Sequence, residues 1–139
     1  MKRNISAAFA FAAISALGCA SVAHAQQTTQ PPPVDPSFSA YTLAQECSQK
    51  SDNTAEGQCV GAVRGIVRGY QYGVLFLAQR SQLKADETQR VSLCLRDVPV
   101  STIVDDFLAD AAQVDDDALK HTPAEVAVLG SVHMHHACT

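Results

Sequence analysis

Residues Cys59–Leu77, CVGAVRGIVRGYQYGVLFL, decide the fold. Gly61, Gly65, Gly69 and Gly73 recur every fourth residue, which on an α-helix at 3.6 residues per turn makes one slowly drifting row. Val63, Ile66, Val67, Tyr70, Val74 and Leu77 form a second, apolar face, with Arg64, Arg68 and Gln71 between the two. Each interior glycine costs about 0.8–1 kcal/mol against alanine, so the four total roughly 3–4 kcal/mol. The expected compensation is close approach of another backbone along the row, as small-residue ridges permit. The stretch is therefore expected to be a central helix gripped by its own chain, with Gly61, Gly65, Gly69 and Gly73 as a structural ridge.

The chain around it has 139 residues, enough for one small domain. Its beginning reads as an export signal. Lys2 and Arg3 precede the apolar run Ile5–Leu17, and Ala23-His24-Ala25 is an A-x-A cleavage site, predicting residues 1–25 as a leader and Gln26 as the mature start. Ala16-Leu17-Gly18-Cys19 loosely matches a lipoprotein box, leaving a lipidated Cys19 as the alternative. The apolar run is too short to span a bilayer, and no later stretch is long enough either, so no membrane insertion is expected. Residues 26–36 (QQTTQPPPVDP) are polar and proline-rich and read as an extended linker. The domain is then residues 37–139.

Without the leader, 8 basic and 14 acidic residues remain, a net charge of about −6. Such a balance disfavours nucleic acid and anionic membranes as partners. Cys47, Cys59, Cys94 and Cys138 also remain. An even count in an exported domain predicts two disulfides, and the count alone allows three connectivities. Their spacing does not fit a structural zinc site.

Outward from the central helix, Ser37 or Ser39 should cap a first helix running through Cys47, followed by a turn around Ser48–Gly57. Arg80–Val91 is charged and weakly periodic, and is expected to be irregular. Ser101 is a good N-cap for a helix carrying Ile103, Val104, Phe107, Leu108 and Ala111. Thr122-Pro123-Ala124-Glu125 has the residues of a capping box for a last helix. No segment alternates with period two long enough to suggest a strand. The expectation is an all-α, four-helix domain.

Nothing in the chain fits catalysis: no nucleophile elbow, phosphate loop or His-Glu-x-x-His pattern occurs. The chain is therefore read as a non-enzyme without cofactor. His133, His135 and His136 crowd the last helix and, like His121, are expected to be exposed, with adventitious metal or pH sensing as conceivable uses. Protein binding fits better. Arg64, Arg68 and Tyr72 are residue types enriched at binding hot spots. Gln82, Lys84 and Arg90, in a segment expected to protrude as a loop, are the favoured contacts.

The order helix–Cys47, Cys59-Val-Gly-Ala-Val-Arg-Gly, Cys94-Leu95 and a last helix closing on Cys138 resembles the Tai/Rap-type immunity proteins across roughly residues 39–138. Arg96 and His136-Ala137 depart from that family's proline after the third cysteine and its Phe-Pro before the last. The resemblance implies an HdeA-like helical domain with bonds Cys47–Cys59 and Cys94–Cys138, pairing into a homodimer. It further implies a periplasmic protein that plugs the cleft of a peptidoglycan amidase effector delivered by type VI secretion. The alternatives are an HdeA-like holdase for unfolded clients at low pH, and an envelope protein-binding domain without an effector.

Overall fold

The computed structural model describes residues 33–80 and 83–138, so the expected leader and most of the linker lie outside the described residues. The domain is all-α. A 3-10 turn, Pro36–Phe38, leads into α1 (Ala40–Ser48) and α2 (Asn53–Gln79); α3 (Ala85–Val91), α4 (Val100–Ala111), α5 (Asp116–Lys120) and α6 (Ala124–His136) follow. Four of these are the expected helices, and α3 and α5 are two further short ones.

Local chemistry explains most of the boundaries. Asp35 accepts hydrogen bonds from the Ser37 hydroxyl (2.7 Å) and amide (2.9 Å). These hold its carboxyl below the usual range and set the first turn. Ser39 accepts from the Thr42 amide and starts α1, as expected of one of the two serines. Asp52 caps α2 through the Thr54 and Ala55 amides. Two other cap assignments are corrected. Pro99, and not Ser101, precedes α4, with no side-chain cap. Thr122 does not close a capping box; its hydroxyl turns back to the Ala118 carbonyl at 2.8 Å, and α6 starts at Ala124 behind Pro123.

Arg80–Val91 is also corrected from irregular to partly helical. The Glu87 carboxylate accepts from the Lys84 amide at 2.9 Å, acidic Asp86 and Glu87 sit in the first turn, and Asp86 pairs with Arg90 one turn on. Favourable end charges and an i,i+4 pair support a helix too short to show periodicity.

Leu43, Val63, Phe107, Val128 and Val132 are almost fully buried, and they join α1, α2, α4 and α6 in one core. Two disulfides fasten it, Cys47–Cys59 between α1 and α2 and Cys94–Cys138 between the segment before α4 and the end of α6. Their sequence separations of 12 and 44 correspond to about 3 and 4 kcal/mol in the chain-entropy account. Backbone pairing delivers the second bond. Leu93 bridges Ala137, and the Cys94 amide donates to the His136 carbonyl at 2.9 Å, which brings both cysteines alongside.

The glycine row requires the largest correction. A Cβ placed on Gly61, Gly65, Gly69 or Gly73 meets nothing within 4 Å among the described residues. The row lies on the outer face of α2, and no backbone among the described residues closes on it. Cys59, Val63 and Val67 also recur every four residues, on the other side of the helix, and that apolar row took the core. Gly65→Ala should therefore stabilise the domain by about 0.5–1 kcal/mol, because it removes helix-interior flexibility without a clash. Thermal denaturation checks this; a lowered midpoint would show that something does close on the row.

Candidate functional site

Helix α2 is 27 residues long, but its buried residues are Ala55, Cys59, Val63 and Val67, all in its first fifteen positions. At 1.5 Å per residue the helix measures about 40 Å, longer than the roughly 30 Å width of a small domain. Its second half therefore runs on past the core. There it meets α3, which packs mainly on α2, so residues 70–79 and α3 form a limb on the helical body.

The limb has an apolar surface. Tyr72, Leu75 and Phe76 are 68%, 51% and 54% exposed, values that rule out a core role for all three. Val74-Leu75-Phe76-Leu77 explains this in sequence terms. Four consecutive apolar residues occupy every side of a helix, and the partner α3 covers only one. Val74 is half-buried against that side, while Leu77, assigned to the core face from sequence, is 38% exposed. Arg80 extends the surface by stacking its guanidinium on the Phe76 ring at 4.9 Å.

The limb is held by one polar joint. Tyr70 Oη donates to the Val91 carbonyl at 2.8 Å, fixing the end of α3. Its oxygen lies 3.0 Å from His133 Nε2 on α6. The tyrosine proton is committed to Val91, so the histidine nitrogen carries a proton and donates. The two rings meet edge to face, 5.5 Å between centroids.

His136 is likewise a partly buried joint, while His135 is exposed as expected and also reaches an acid on α4. His136 Nε2 lies 2.9 Å from Asp106 Oδ2, and His135 Nε2 lies 3.2 Å from Asp110 Oδ2, which ties the end of α6 to α4. His121 remains exposed beside Asp117. Among the described residues no cluster of three His, Cys, Asp or Glu side chains could hold a metal. None of the described helices is long and apolar enough to cross a membrane.

Arg64, Arg68 and Tyr72 are exposed on the outer face of α2, one turn apart in one row that continues to Phe76 and Arg80. Lys84 and Arg90 are exposed on the limb at either end of α3, and Arg90 is paired with Asp86 at 3.6 Å. Gln82 lies outside the described residues. The structure thus groups Tyr72, Lys84 and Arg90 on the limb, while Arg64 and Arg68 sit nearer the body. Leu75, Phe76 and Arg80 were missed from sequence. A second apolar set, Val114, Val126 and Met134, flanks a groove of about 380 Å³ between α4, α5 and α6.

No family model, no curated protein and no solved structure matches the chain.

If Tyr70 anchors the limb, Tyr70→Phe removes two hydrogen bonds worth together about 1–2 kcal/mol and lowers the melting midpoint by about 5–10 °C. Tyr72→Phe, with its hydroxyl in solvent, is the control and should leave the midpoint unchanged. Equal midpoints for the two variants would remove the joint from the account.

Proposed function

We propose that this chain is a periplasmic protein-binding domain that inhibits a peptidoglycan amidase effector of type VI secretion by occluding its active-site cleft. The observation that carries the reading is the limb, a helical projection with Tyr72, Leu75 and Phe76 exposed along it. Exposed apolar surface of this kind marks interaction sites, and tyrosine and arginine are frequent anchors. A projecting element fits a concave cleft, and a limb that is already helical and held by Tyr70 loses less freedom on docking than a flexible loop would. The four-cysteine frame, paired as Cys47–Cys59 and Cys94–Cys138, agrees with export to an oxidising compartment. The acidic balance of the whole domain would speed encounter with a basic effector, while the apolar anchors set the lifetime of the complex.

In this reading the contact surface is the outer face of α2 together with α3, instead of a flexible loop. The test is inhibition of a peptidoglycan amidase, sought first in this chain's gene neighbourhood, measured as release of dye-labelled peptidoglycan. Stoichiometric inhibition is expected. Tyr72→Ser combined with Phe76→Ser should weaken it about a hundredfold, the size expected for two anchors, with the fold intact by circular dichroism. Absence of inhibition by the wild-type domain at micromolar concentration would overturn the reading.

A further inference from the structure

Between α2 and the connection that leads into α4 runs a groove of about 210 Å³ with two unlike surfaces. Val63, Val67 and Ile103 make an apolar floor, and all three belong to the buried core. Arg64, Arg68 and Gln71 stand along the α2 side, and Leu95 and Val98 along the other. Among the described residues, which carry 14 acids, neither Arg64 nor Arg68 makes an ion pair or a side-chain hydrogen bond. Asp97, on the connection itself, pairs with neither arginine.

We propose that this groove binds an acidic, aliphatic segment of a partner protein, with an apolar side chain on the Val63–Val67–Ile103 floor and flanking carboxylates on Arg64 and Arg68. Charge complementarity identifies the occupant. Two adjacent guanidinium groups present planar donor forks that match carboxylates, and Gln71 adds a neutral donor and acceptor for backbone groups. The apolar floor excludes a purely ionic ligand, because covering it with a hydrated anion recovers no hydrophobic gain. The volume suits one aliphatic side chain with its neighbouring backbone. Gly61 and Gly65, whose outer sides are open, leave no side chains on the neighbouring part of α2 to obstruct a segment crossing it.

The site rests on the protein-binding reading above but not on the partner being an amidase, and it is distinct from the Tyr72–Phe76 anchors of the limb. A partner using both would place apolar groups on the limb and an acidic segment nearer the body.

The probe is the acetylated, amidated tetrapeptide Leu-Glu-Leu-Glu, titrated into isotopically labelled domain and followed by amide NMR shifts. Saturable shifts confined to Val63–Gln71 and Leu95–Ile103 are expected. Substituting glutamine for both peptide glutamates, or introducing R64Q/R68Q, should weaken binding about tenfold, as two partly exposed charge pairs allow. The double variant should keep the wild-type melting midpoint, since neither side chain has a partner among the described residues. K50Q/K120Q removes the same charge elsewhere and should leave affinity within about twofold. The proposal is overturned if millimolar peptide moves no groove amide, if the glutamine peptide binds equally, or if the shifts centre on Tyr72 and Phe76. It is also overturned if 4-methylpentanoate occupies the groove while the peptide does not, which would make the site one for small carboxylates. None of these outcomes depends on amidase inhibition, so either reading can fail alone.

Discussion

The length of α2 relative to the core governs the rest of the molecule. Twenty-seven residues form the helix, and the last one fully buried in it is Val67. The Cys47–Cys59 bond and the Val63 and Val67 side chains fasten the first half between α1, α4 and α6. The second half has no such core to join. Helix propensity and the short partner α3 keep it helical, and it is left with more apolar side chains than α3 can cover. The exposed surface at Tyr72, Leu75 and Phe76 is therefore a geometric consequence of a helix longer than its domain.

Polar contacts take over where apolar packing ends. Tyr70 links three helices through one hydroxyl, accepting a hydrogen bond from His133 and donating one to the Val91 carbonyl. His136 and His135 fasten the end of α6 to α4 through Asp106 and Asp110, close to the Cys94–Cys138 bond. A crowd of histidines near a chain end suggests surface chemistry until their partners are seen. The partners Asp106 and Asp110 lie four residues apart on another helix, a pairing that requires the tertiary structure.

Much of the fold was legible in the sequence, because it rests on local rules. Serine at 39, the apolar faces of α2 and α4 and the Thr122–Glu125 signal locate the four main helices, and the resemblance supplied the observed cysteine pairing. The failures share a cause: they depended on which of two competing patterns the tertiary structure would choose. The glycines and the row Cys59–Val63–Val67 have the same four-residue spacing, so periodicity could not say which faces inward. Thr122-Pro123-Ala124-Glu125 has the residues of a capping box, but the threonine hydroxyl found the Ala118 carbonyl instead. Helix α3 depends on end charges and on docking to α2, which a seven-residue segment cannot announce by period. Of the candidate site, Arg64, Arg68 and Tyr72 were readable as exposed binding types. Leu75 and Phe76 lie between Val74 and Leu77 of the apolar face, and the sequence pattern assigns them to no face.

Native-state hydrogen exchange measured residue by residue along α2 tests the division between body and limb most directly. Amides from Glu56 to Val67 should exchange only through global unfolding, with the full stability of the domain. Those from Tyr70 to Gln79, together with α3, should open at lower free energy as a separate unit. Uniform protection along α2 to Gln79, equal to the global value, would contradict the account by showing that the second half belongs to the same cooperative core.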